Sequence, residues 1–107
     1  MADVDLRIRL NAHNEKNART VLKRLAALIE FELAELSPHH DGGYIASLKA
    51  SVPENTWPEQ VVAVIELAEA FGRGWTLRGP IDWGLDMAAT EFSVSGLTFA
   101  SLRLTKG

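Results

Sequence analysis

The sequence predicts an α+β domain, and three observations lead there. Apolar residues recur with a period of two in short stretches such as VDLRIRL (4–10) and YIASLKASV (44–52), as in strands with one buried face. Between and after these lie stretches with apolar residues at helical spacing. Both kinds of stretch fit into 107 residues, so a single domain spanning 1–107 is expected.

In the first stretch Val4, Leu6, Ile8 and Leu10 share one face, and Asp5, Arg7 and Arg9 the other. Asn14 then offers a helix cap with Glu15 in the first turn. Ala18, Val21, Leu22 and Leu25 form the buried stripe, with Lys16, Arg19, Lys23 and Arg24 off it. Residues 28–36 (LIEFELAEL) admit two readings. As a strand, Ile29, Phe31 and Leu33 point inward and Glu30 and Glu32 outward; as more helix, Ile29, Leu33 and Leu36 continue the stripe. The strand is preferred because it covers Phe31, and because SPHHDGG suits a hairpin loop before the next strand. In 44–52, Tyr44, Ala46, Leu48, Ala50 and Val52 alternate with Ile45, Ser47, Lys49 and Ser51.

Thr56-Trp57-Pro58-Glu59 has the form of a capping box with proline in the first turn. The helix it opens buries Val61, Val64, Ile65, Ala68 and Phe71, and Glu66 and Glu69 mark its wet side. Gly72 and Gly74 then suit a helix C-cap. Trp75, Leu77, Gly79 and Ile81 alternate with Thr76, Arg78 and Asp82 as a further strand that bends or reaches an edge at Pro80. WGLDMAAT reads as a loop, and 91–105 as a final strand with a bulge near Gly96 or Phe99. The order strand, helix, strand, strand, helix, strand, strand closes most simply as a ferredoxin-like βαββαβ sandwich with an added C-terminal strand. Two helices then cover one face of an antiparallel sheet.

The chain has no cysteine, which excludes disulfides and thiolate zinc sites. No apolar run is long enough for a membrane helix. The opening MADVDLR is acidic where a secretory signal would be basic, so a cytoplasmic protein is expected. A net charge of −3 weakens any reading as a nucleic-acid binder and leaves a basic protein partner open.

Gly72-Arg73-Gly74 follows a helix instead of preceding one, so it presents helix carbonyls, the wrong dipole end for phosphate. His13, His39, His40 and Asp41 would meet at one edge of the sheet. Imidazoles and a carboxylate there suit zinc or nickel, but solvated loop residues are the simpler reading, and no metal or cofactor is expected. Glu30 and Glu32 would share the outer face with Arg7, Arg9, Lys49 and Arg78 as a solvated mixed-charge lattice. No desolvated carboxylate, Cys nucleophile or Ser motif marks an enzyme. An RNA-binding sheet is disfavoured because aromatics are expected on inward faces: Phe31, Phe71, Trp75 and Phe99.

Trp57 and Trp83 differ, each lying at an element boundary at the end of the sheet away from the histidines. Glu54, Asp86 and Glu91 would fall nearby, with Met87, as an acidic rim around aromatic anchors. The alternative is that both indoles plug the bottom of the core.

The stretch W-x3-VVAVIELAEAFGRGWTLRGPI followed by FSVSGLTFASLRL resembles the small cysteine-free immunity proteins of bacterial polymorphic and contact-dependent growth-inhibition toxins, over about residues 44–105. The shared features are a hydrophobic helix ending at Gly-x-Gly-Trp, a strand, and a closing Gly-Leu-x-aromatic-Ala strand. The resemblance implies a stoichiometric inhibitor that binds its cognate toxin, often a nuclease, and occludes its active site. On that expectation the partner is a toxin with a basic surface, without direct nucleic-acid or membrane binding, and the inhibitor is a monomer or weak dimer. A small-ligand-sensing or regulatory domain of the ferredoxin-like class is the alternative.

Overall fold

The computed structural model describes residues 2–53, 56–79 and 84–105. Strand β1 (Ala2–Leu10) has the predicted sidedness: Val4, Leu6, Ile8 and Leu10 are buried, while Asp3, Asp5 and Arg7 stand in solvent. Helix α1 (Glu15–Ala26) starts where Asn14 was expected to cap it. The Asn14 side chain accepts a hydrogen bond of 2.8 Å from the Asn17 amide, and the helix buries Ala18, Val21, Leu22 and Leu25.

Of the two readings of 28–36, the strand holds only from Glu32 onward, as β2 (Glu32–Pro38). The Leu28 and Ile29 amides still bond to the Leu25 carbonyl, so the chain leaves α1 through a turn that buries Ile29 and half-buries Phe31. Ala34 is a bulge, because the register steps from Leu33 opposite Leu48 to Glu35 opposite Ser47. Strand β3 (Tyr44–Val52) carries the expected inward set, with Ala46, Leu48, Ala50 and Val52 all buried.

Helix α2 (Trp57–Glu69) has Thr56 at its N-cap and proline in its first turn, but the Thr56 side chain makes no capping hydrogen bond. The first turn is closed by the proline and by the Gln60 amide donating to the Thr56 carbonyl at 3.0 Å, so only part of the expected capping box forms. At the other end, Ala70 caps α2 in the right-handed region, and the glycines act later than predicted. Gly72 and Arg73 form a short strand, β4 (Gly72–Arg73), and only Gly74 of that pair of glycines takes a positive φ, +69°. Gly72 is needed for close approach: a Cβ there would lie 3.0 Å from the Phe92 ring and 3.1 Å from the Trp75 indole.

The remaining strands are β5 (Thr76–Arg78), β6 (Gly84–Ala89), β7 (Glu91–Phe92) and β8 (Leu97–Thr105). The stretch expected to be a loop is therefore largely strand. Leu85, Met87 and Ala89 alternate into the core, a pattern made faint by the small alanines. The stretch 91–105 is two strands separated by a turn, and its bulge falls at Thr98, because Arg9 opposes Phe99 while Leu10 opposes Leu97. That bulge turns Phe99 onto the outer face, 37% exposed, where an inward position was expected.

The main sheet runs β2-β3-β1-β8-β6-β5 with antiparallel neighbours throughout, and β4 pairs with β7 in a separate ribbon. Buried residues of both helices join the inner face of this sheet in one hydrophobic core, an α+β architecture compatible with a ferredoxin-like arrangement. The last strand lies inside the sheet beside β1, and the additional strands β5 and β6 extend the sheet beyond it instead of following it. No helix among the described residues is long and apolar enough to cross a membrane.

Register links every strand of the sheet in two rows, one residue apart. On the inner face Leu33, Leu48, Leu6, Leu102, Met87 and Leu77 oppose one another in turn. On the outer face the next residues along are Glu32, Lys49, Asp5, Arg103, Asp86 and Arg78, alternating in sign across all six strands. Opposite charges directly across strands are favourable, and like charges would not be. Burial in the inner row falls towards the edges: Leu6 is 2% exposed and Leu77 is 53%. Leu6→Ala is therefore expected to cost about 2–5 kcal/mol, and Leu77→Ala under about 1 kcal/mol, in urea denaturation. Equal costs would contradict the one-sided core.

Candidate functional site

The residues singled out from the sequence do not form one surface. Asp86 lies in the outer row, where its carboxylate stands 3.5 Å from Arg103 and 3.7 Å from Arg78. Met87, the next residue, faces the opposite side of the sheet and is 3% exposed, so it belongs to the core. Trp57 is half-buried at the start of α2 and packs against the core, close to the plug reading of that indole. Glu91 is exposed on β7, opposite Arg73. Glu54 and Trp83 lie outside the described residues.

The Gly-x-Gly-Trp stretch is scaffold. The Trp75 indole N–H donates to the Ala68 carbonyl at 3.0 Å, joining the Phe71 amide as a second donor to that acceptor at the C-terminal end of α2. The indole meets Phe71 edge-on at 5.4 Å between ring centroids, and Phe71 stacks with Phe92 at 6.0 Å. This aromatic cluster fastens the β4–β7 ribbon to the end of α2.

The histidine edge is assembled in part: His39, His40 and Asp41 cluster, and His13 stays outside the cluster. His13 and Asp41 line one shallow depression together with Arg9 and Phe99. His39, His40 and Asp41 bring one ligand atom each to within 4.8 Å of one another. The Asp41 amide donates to His39 Nδ1 at 3.2 Å, and His40 Nε2 stands 3.3 Å from the Asp41 carboxylate. Side-chain exposures are 81% for His40 and 67% for Asp41, and His39 is half-buried.

Two surfaces are more organised. The first is the outer face of the sheet, hollowed into an open cavity of about 450 Å³ whose lining includes Arg7, Lys49, Arg78 and Arg103 against Asp5 and Asp86. The second is α2. Its exposed side carries Glu59, Val62, Glu66 and Glu69 at helical spacing, and Val62 is 54% exposed.

No protein-family model matches the chain, and no curated protein or solved structure matches it either.

The helices that cover the inner face of the sheet are charged oppositely. α1 carries Lys16, Arg19, Lys23 and Arg24 against Glu15, whereas every charged residue of α2 is a glutamate. α1 obeys the helix dipole, with its acid in the first turn and its bases in the last. α2 does not: Glu66 and Glu69 crowd its C-terminal end and its last turn has no basic residue. Sequence reading placed Glu66 and Glu69 on the wet side but missed this surface; the signal was Val62, an apolar residue off the buried stripe.

The Asp86 pairs are partly exposed, and such pairs are worth little. Asp86→Asn is expected to destabilise by under about 1 kcal/mol, and by less as salt is raised. A loss of several kcal/mol that persists in high salt would mean that Asp86 holds the sheet together.

Proposed function

We propose that the protein is a stoichiometric protein inhibitor that acts by binding and not by catalysis, an immunity protein that neutralises a cognate toxin, a nuclease, by occluding its active site. The observation that carries this is the exposed stripe of α2: an apolar side chain, Val62, with Glu59 one turn before it and Glu66 one turn after. An apolar anchor inside a charged rim is the arrangement expected at the centre of a protein interface. Carboxylates at the C-terminal end of a helix oppose its dipole, at a cost of about 0.3–1 kcal/mol each. Local rules are broken in this way most often where function requires it.

In this mechanism Glu59, Glu66 and Glu69 stand in for the phosphates of a nucleic-acid substrate against basic toxin residues, and Val62 fills a small apolar pocket. Trp57 supports the start of the helix from its half-buried position. Charge complementarity speeds encounter and selects the partner. The inhibitor works in the cytoplasm, as a monomer or weak dimer, on a ferredoxin-like scaffold.

The test is co-expression with the toxic protein encoded beside this chain. Growth should be rescued, and a 1:1 complex should survive purification. The triple reversal Glu59→Lys, Glu66→Lys, Glu69→Lys should abolish both while leaving the circular dichroism spectrum and a cooperative melting transition intact, because the two reversals at the C-terminal end of the helix offset the one in its first turn. Full protection by the folded reversal variant would remove α2 from the interface. Failure of the wild-type chain to bind or protect would remove the inhibitor function.

A further inference from the structure

We propose that the open face of the sheet holds a binding site for a small phosphate-type dianion, centred on Arg7 of β1. Arg7 occupies one of the two most central strands, and its direct neighbours across the sheet are Ser47 on β3 and Ser101 on β8. Two residues further along, the same three strands present Lys49, Asp5 and Arg103. Directly opposed residues stand about 5 Å apart and diagonal ones about 7–8 Å. Both the Lys49 ammonium and the Arg103 guanidinium therefore reach the space above Arg7.

The charge balance of the cavity differs from that of the chain. The cavity's lining has four cationic side chains and two carboxylates, in a chain whose net charge is −3. Asp86 is shared between Arg78 and Arg103. The Arg7 guanidinium enters none of the ion pairs formed among the described residues. Glu35 lies opposite Ser47 on β2 but does not line the cavity, which Ala34 bounds on that side, so the proposed site lies over β1 between β3 and β8. A cavity of about 450 Å³ holds a small ligand, though not a large one.

The donor set selects the ligand class. A guanidinium offers a planar fork that binds two oxygens of a phosphate at once, and hydroxyls on either side can donate to a third. Chloride offers no such oxygens. The site is separate from α2 and requires no protein partner.

The experiment titrates inorganic phosphate and glycerol 3-phosphate into the full chain at constant ionic strength, with chloride as the balancing anion, and follows backbone amide resonances. Saturable shifts are expected at Ser47 and Ser101, with a rise in melting temperature. Arg7→Gln should weaken the affinity about tenfold or more. Without ligand, its melting temperature should stay within about 4 °C of wild type. Lys16→Gln, on α1, should bind as wild type does. Non-saturating shifts, the same response to chloride, or unchanged affinity in Arg7→Gln would overturn the site. Tighter binding of a short single-stranded RNA through the same residues would also overturn it, because the face would then be a nucleic-acid surface.

Discussion

The register of the sheet is the constraint on which everything else rests. Six apolar residues face one another on the inner side, and the residues beside them, one position along each strand, form a line of alternating charges on the outer side. A slip of one residue in any of the four inner strands, β3, β1, β8 or β6, would bring a charge into the core and a leucine or methionine into water. It would also break the sign alternation with both neighbouring strands. The hydrophobic term drives the pairing, since burying one such side chain is worth about 1.5–3 kcal/mol. The partly exposed charges add little stability but penalise the wrong register, which is specificity rather than strength.

That sidedness decides where function can reside. Both helices are used up in covering the inner face, so the surfaces left are the backs of the helices and the outer face of the sheet. Their electrostatics divide the molecule: a basic α1, an acidic α2, and a hollow in the sheet face whose lining holds more cations than carboxylates. On the proposals above, a partner with a basic surface meets α2, while a small anion meets the hollow of the sheet. The tryptophan of the Gly-x-Gly-Trp stretch serves neither, because its N–H is spent on the carbonyl of Ala68 and its ring on Phe71 and Phe92.

Much of the fold was legible in the sequence, because the strongest signals were periodic. The alternation in β1 and β3, the Asn14 cap and the stripe of α1 all hold. The weak points had physical causes. β6 was missed because two of its six residues are alanines and its start is glycine, which blunts the contrast between faces. Phe99 was placed inward because a bulge shifts phase without changing composition. The glycines after α2 match a cap by position, whereas Gly72 answers a packing demand from Trp75 and Phe92 that no local pattern reveals. The site was less legible than the fold. Asp86 and Met87 are adjacent in sequence and on opposite faces of the sheet, and no grouping by proximity along the chain separates them.

The absence of cysteine allows a direct measurement of sidedness. Single cysteines can be placed at Ser47 and Ser101 on the outer face, and at their chain neighbours Ala46 and Ala100, which are fully buried. The rate of reaction with a thiol reagent then reads the face of each strand. The account predicts that the cysteines at 47 and 101 react within about tenfold of a free thiol, and that those at 46 and 100 react more than about a hundredfold slower, limited by opening of the fold. Equal protection on both faces would mean that the outer face is covered. Rapid reaction at 46 or 100 would mean that the inner row is not the core, and the account would fail with it.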